Sequence, residues 1–182
     1  MSTDIAPSDV VAFWKEAGPA KWFAKDDAFD AAFRERFETA HFAAARRELD
    51  GWMQSAEGAL ALMILLDQFP RNVFRGTGHA FATDPLALSL ANQALADGFD
   101  QQTEMALRRF FYLPLQHSEA MADQDRALAL SQALDRPADD RWAEHHHGVI
   151  ARFGRFPHRN RALGRETTPE EQAFLAQDGF TG

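Results

Sequence analysis

The sequence contains no cysteine. Disulfides, thiolate nucleophiles and cysteine-ligated metals are thereby excluded. No apolar run approaches the roughly 20 residues that span a bilayer. The opening residues, MSTDIAPSDVV, have no basic segment leading into an apolar core, so neither a membrane span nor a secretory signal is expected. Tyrosine occurs once, β-branched residues are sparse, and no stretch alternates apolar with polar residues as a half-buried strand does. A surplus of positive charge is missing too. Nineteen Lys and Arg against 27 Asp and Glu leave a formal charge of -8, the wrong sign for a chain that must neutralise nucleic-acid phosphates. The expectation is a soluble, acidic, cytoplasmic protein with no cofactor and no metal.

What is present favours helix. Ala and Leu are abundant, and 46% of the 182 residues are hydrophobic. A first helix is predicted after Ser8, carrying Val11 and Trp14 and ending at Gly18-Pro19. A second starts near Asp27, with Phe29, Phe33 and Phe37 in one apolar stripe and Gly51 as its stop. A third opens at Ser55, is apolar all round through Leu66, and is stopped by Pro70. Thr83-Asp84-Pro85 predicts a helix start with Asp84 as N-cap, running to Gly98. The next begins near Asp100 and must kink or break at Pro114. Helices follow from Ser118 to Leu134 and, beyond a polar stretch at Asp135–Asp140, through Trp142 to Phe153. A short turn is expected at His158–Leu163. Thr168-Pro169-Glu170-Glu171 reads as a capping box opening a last helix. The fold class is therefore all-α: an antiparallel array of seven to eight helices in a single domain, residues 1–182, without a clean repeat.

Three patterns point to chemistry. The cations are 16 arginines and only three lysines, and arginine is the residue of planar, bidentate contacts to carboxylate or phosphate. Residues 141–165 hold six arginines, the single acid Glu144 and four histidines, for a net charge of +5 in an otherwise acidic chain. Arg155 with Arg159, and Arg161 with Arg165, are like charges four apart, which in a helix repel unless an anion lies between them. The acids elsewhere in the chain can supply that anion, and so can an external ligand; both readings are open.

The second pattern is a near-echo. Asp67-Gln68-Phe69-Pro70-Arg71-Asn72 resembles Arg155-Phe156-Pro157-His158-Arg159-Asn160. A recurrent helix stop explains Phe and Pro, but Asp67 at a helix C-terminus opposes the dipole and calls for a cationic partner. The third pattern is Arg109 and its neighbours running into His117-Ser118-Glu119 across Pro114, where His117 and Glu119 have the chemistry of a general base and acid and Ser118 that of a helix cap. Spacing argues against a metal, since His117 and Glu119 do not share a helix face and no His-Glu-x-x-His motif occurs.

Phe13-Trp14, Trp22-Phe23, Leu65-Leu66-Asp67-Gln68-Phe69-Pro70-Arg71-Asn72, His117-Ser118-Glu119 and Phe153-Gly154-Arg155-Phe156-Pro157-His158-Arg159-Asn160 with Leu163-Gly164-Arg165, taken in this order, resemble a mainly bacterial family designated domain of unknown function 924, over about Val10 to Phe180. The resemblance implies an all-α fold similar to tetratricopeptide-repeat proteins without their repeat consensus, and implies no activity. One departure is visible. The family pattern His-Arg-Asp-Ile-Ile is replaced by His146-His147-Gly148-Val149-Ile150, so a carboxylate beside His146 is missing.

The function expected from these residues is a pocket for a small anion, such as a phosphate ester or carboxylate. Asp67, Arg71, Asn72, Arg109, Arg155, Arg159 and Asn160 are the expected ligand-binding residues, and His117, Glu119 and His146 the proton-transfer groups. The alternative is an interaction module that receives an acidic peptide or C-terminal carboxylate on the same arginines. A third possibility makes the polar residues a buried network that specifies the helix arrangement.

Overall fold

A computed structural model describes residues 5–134 and 137–178, and every regular element among them is helical. In chain order these are α1 (Pro7–Ala17), the single turn α2 (Pro19–Trp22), α3 (Asp27–Ala45), α4 (Ala56–Met63), a π-turn (Ile64–Gln68), α5 (Phe69–Val73), α6 (Asp84–Ala96), α7 (Met105–Gln116), α8 (Met121–Gln132), α9 (Pro137–Phe153) and α10 (Pro169–Asp178). Short 3-10 turns lie at Asp50–Gln54, Gly78–Phe81 and Pro157–Arg159. The chain packs as two compact units, 1–75 with 79–114 and 76–78 with 115–182. No linker marks the division: α7 contributes its last two residues to the second unit.

In the first unit the expected stripe forms. Phe29, Phe33 and Phe37 are buried on α3, and Phe13 of α1 lies within 5.2–5.3 Å of all three rings. Trp14 stacks on Trp22, whose indole N–H donates to the Trp14 carbonyl at 2.7 Å. α4 is buried from Gly58 onward, as its uniformly apolar sequence requires. Ser55 caps it by accepting the Gly58 N–H. α3 does not run to Gly51. It ends at Ala45, and Arg47 takes the left-handed conformation (φ 65°), with the Glu48 N–H reaching back to the Ala43 carbonyl. This is a Schellman-type stop made without glycine.

Pro70 does not stop the third helix either. The chain widens into the π-turn, where the Phe69 N–H reaches the Ile64 carbonyl five residues back, and helix then continues to Val73. Proline has no N–H to give, so carbonyls just upstream lose a main-chain donor. Side chains replace it. The Leu65 carbonyl accepts from His41 Nδ1 at 2.8 Å, that of Leu66 from the Thr83 hydroxyl, and that of Asp67 from Arg71 Nη1 at 2.8 Å. Thr83, not Asp84, precedes the first residue of α6, and it turns its hydroxyl to the π-turn instead of capping its own helix. Thr83→Val should therefore cost about 1–3 kcal/mol, the penalty of a buried carbonyl left unpaired. In a Pro70→Ala background, which restores the missing N–H, denaturant unfolding should show less than half that loss. Equal losses in both backgrounds would rule out the compensation.

Pro114 is likewise accommodated inside α7, which runs unbroken to Gln116 and starts at Met105, later than expected. The buried Gln124 side chain caps its end, donating to the carbonyls of Gln116 (2.7 Å) and Ser118 (2.6 Å). Residues 135 and 136 lie outside the described segments, and 137–140, expected as loop, open α9. In the second unit α8 packs on α9, and α10 on the 3-10 turn 157–159. Val149, Ile150, Phe156 and Phe174 form its core, with Met121, Phe153 and Leu175 at the edge.

Candidate functional site

The residues singled out in the sequence fall into two groups, one in each unit. Asp67, Arg71, Asn72 and Arg109 belong to the first. Asp67 is buried in the π-turn, where it accepts from Gln68 Nε2 at 2.7 Å and pairs with Arg71 at 3.2 Å. The cationic partner required by its position is thus Arg71, which also makes a bidentate contact with Asp84 at 2.8 and 2.9 Å. Burial works against the Arg71 charge, but the two carboxylates outweigh it and hold the guanidinium firmly protonated. Arg71 is committed to internal acids. The Asn72 amide donates to Asp30 at 2.9 Å, and Arg109 lies 4.7 Å over the Phe23 ring. Arg71 and Asn72 are thus both engaged by acids of this chain.

A polar pair the sequence did not suggest lies beside them. His41 on α3 is fully buried, and burial lowers its pKa. Its Nδ1 faces a carbonyl and must carry the hydrogen, so Nε2 accepts from His79 Nε2 at 3.0 Å. The sequence shows two isolated histidines 38 residues apart, and only the three-dimensional path joins them.

His117, Glu119, His146, Arg155, Arg159 and Asn160 belong to the second unit. Arg155 gives Glu171 two bonds, at 2.6 and 2.9 Å. The same buried carboxylate accepts the Asn160 amide (3.2 Å) and the Thr168 N–H (2.8 Å). The predicted capping box is therefore present, and its Glu171 is also the anion that Arg155 was expected to need. Those hydrogen bonds, led by Arg155, bring the Glu171 carboxyl down to about 2. The Asn160 amide group faces Glu171, and its buried Oδ1 is an acceptor without a hydrogen-bond donor, a poor contact for an anion. Arg155 and Asn160 are thus both engaged by Glu171.

Glu119 is engaged similarly. It takes a bidentate contact from Arg165 (2.7 and 2.8 Å) and the Phe156 N–H (2.9 Å). Burial pushes its carboxyl up, but these donors prevail and hold it below the ordinary carboxylate range. An ionised clamp cannot serve as a general acid at neutral pH. The N-cap of α8 is Ala120, not Ser118; the Ser118 hydroxyl donates to Asp123 at 2.6 Å and accepts the Ala120 N–H at 3.2 Å. The like-charge pairs are not neighbours on one α-helix, because only 157–159 turn, as a 3-10 helix; Arg155 and Arg165 instead meet Glu171 and Glu119.

What remains together is His117, His146 and Arg159. Arg159 is buried, stacks 4.5 Å over the Phe156 ring and donates to the His117 carbonyl at 3.0 Å. The His146 ring packs edge-on against the same Phe156 at 5.6 Å, with the His117 ring 5.9 Å away. His146 Nδ1 donates to the Trp142 carbonyl at 2.7 Å, which makes Nε2 the acceptor side of the ring. Burial first, then the charges of His117, His145 and Arg159, lower the His146 pKa to about 3. The surroundings of this half-buried imidazole therefore repel a proton. Among the described residues no group of three or more His, Asp or Glu could hold a metal ion, and no helix is long and apolar enough to cross a membrane.

Residues 10–179 match the family described as "Bacterial protein of unknown function (DUF924)". Among solved structures, a protein of unknown function from Agrobacterium tumefaciens, ATU0120, is 58% identical, with a TM-score of 0.91 over 93% of this chain and 96% of that one. No curated protein matches the chain.

Proposed function

This chain belongs to the DUF924 family of bacterial proteins, and on that premise we propose that His117, His146 and Arg159 form a binding site for a small anion, best a phosphate ester. The observation that carries the proposal is the His146 ring edge-on to Phe156, the His117 ring beside His146, and the buried Arg159 guanidinium over the same Phe156 ring. Arg159 supplies fixed charge beside them. The two half-exposed imidazoles make the contacts.

The tautomer of His146 favours phosphate over carboxylate. With Nδ1–H given to Trp142, Nε2 is the acceptor side of the ring, which matches the P–OH of a phosphate monoanion, the form a monoester takes below its second pKa of about 6. A carboxylate has no such proton to share. The reading is of binding; proton transfer to or from the ligand at His146 Nε2 belongs to the same proposal, as does action in the cytoplasm.

Calorimetric titration with inorganic phosphate tests it. Saturable binding is expected, weakened at least tenfold by Arg159→Gln, a loss of about 1.4 kcal/mol. Arg155→Gln should lower the melting temperature and leave the affinity within about twofold, under 0.5 kcal/mol. Absence of saturable binding to the wild-type protein would refute the proposal. An acidic peptide that binds and is not displaced by phosphate would favour the interaction-module reading.

A further inference from the structure

His41 of α3 and His79 of the 3-10 turn Gly78–Phe81 belong to the first unit and take no part in the anion site. Two imidazoles that meet through the same ring atom need opposite hydrogen placements, since a neutral ring carries a single N–H. The structure fixes them. His41 is fully buried and gives its Nδ1–H to the Leu65 carbonyl at 2.8 Å, so its Nε2 lone pair faces His79 Nε2, 3.0 Å away. An imidazole held through its other N–H by a main-chain carbonyl is arranged as metal-ligating histidines are. Burial lowers the His41 pKa, so near neutral pH no proton competes for that lone pair. His79 is half-buried, and among the described residues its Nδ1 makes no hydrogen bond. Moving its hydrogen from Nε2 to Nδ1 therefore breaks no second contact and sets two lone pairs face to face.

The surroundings select the ion. Phe69 stacks on His41 at 4.8 Å, and Phe74 and Phe42 lie 4.1 and 5.5 Å from the His79 ring. Among the described residues no third His, Asp or Glu completes the set. Magnesium and calcium require a cage of oxygens, and zinc a tetrahedral set. Copper(I) is soft and monovalent, is satisfied by two nitrogens in a line, and its charge is well received by aromatic faces. We infer that His41 and His79 bind one copper(I) ion between their Nε2 atoms. With about 2 Å from metal to nitrogen on either side, the two atoms part from 3.0 Å to about 4 Å, a swing made by the half-buried His79 while His41 stays on Leu65. The hydrogen leaves His79 Nε2 for its Nδ1, so no net proton is released and no electron moves. The inference is independent of anion binding in the second unit.

Anaerobic titration with copper(I), presented on a chromophoric competing chelator, tests it. The protein should withdraw one equivalent, and nitrogen-detected spectra should show both Nε2 resonances shifting while the His41 Nδ1–H is retained. His79→Gln keeps an amide N–H to offer His41 and should melt near the wild-type temperature, yet bind copper(I) at least about tenfold more weakly, the least that even loss of a ligand's supporting partner costs. His147→Gln, exchanging a histidine of the other unit, should leave the affinity unchanged. No withdrawal of copper(I), equal affinity in folded His79→Gln, or shifts confined to methionine methyl groups would overturn the site. Zinc bound at the same two nitrogens as tightly as copper(I) would overturn the choice of ion.

Discussion

Gly58→Ala should destabilise the protein by about 2–4 kcal/mol, although in an ordinary helix the same change gains up to about 1 kcal/mol. The reversal comes from the entry to α4. A Cβ on Gly58 would stand 2.0 Å from the Trp52 carbonyl oxygen and 2.9 Å from its carbon, both main-chain atoms of the preceding 3-10 turn. Neither can move without carrying that turn away, and the turn sets the position of Ser55, whose hydroxyl caps the Gly58 N–H. α4 in turn packs against α1 and α6, so the disturbance spreads through the core of the first unit. Gly148 is the internal control. It is exposed on α9 with open space where a Cβ would go, and Gly148→Ala should stabilise by about 0.5–1 kcal/mol. Chemical denaturation of both variants should give opposite signs; a shared sign would refute the steric account.

The second large effect is expected at Glu171. One buried carboxylate there accepts from Arg155 twice, from Asn160 and from the Thr168 N–H. Glu171→Gln replaces an acceptor oxygen with an amide that points its own hydrogens at donors. Leaving the donors around such a carboxylate imperfectly paired costs about 1–3 kcal/mol, and for a chain of this length each kcal/mol lowers the melting temperature by about 2–4 °C. Arg155→Gln should cost less, because Glu171 keeps its other donors. A Glu171→Gln loss under about 0.5 kcal/mol, the size of an ordinary surface substitution, would show the cluster to be decoration.

Acid should act through the same groups, and the sign follows from proton counts. The unfolded chain binds a proton at His146 near 6.5, the folded chain only near 3, so between those values unfolding takes up protons and stability falls as pH drops. His41, lowered by burial, acts in the same direction. Glu171 adds a further loss from its ordinary 4.5 down to about 2. Stability should be flat above about pH 7 and decline below it.

The helical architecture was legible because periodicity and caps are local. The Phe29–Phe33–Phe37 stripe, the Ser55 cap and the Thr168–Glu171 capping box are all present. The two prolines misled because their effect is decided elsewhere in the chain: Thr83 and His41, distant in sequence, supply the donors that Pro70 withholds. The arginine-rich segment was visible as composition, but its partners were not. Arg155 and Arg165 find Glu171 and Glu119, 16 and 46 residues away, and no spacing rule connects them. His117, His146 and Arg159 come together in the second unit, and the anion site proposed there depends on an approach of segments that no spacing rule gives.

Nitrogen-detected titration of the His146 imidazole, with and without inorganic phosphate, is the most direct measurement of whether this face of the second unit is built to receive an anion. His146 should remain neutral, with its hydrogen on Nδ1, from pH 8 down past pH 5 (at least about 1.5 units below the ordinary histidine midpoint), and phosphate should raise its midpoint by neutralising the field of Arg159 and His117. An ordinary midpoint near 6.5 that phosphate leaves unmoved would contradict the account.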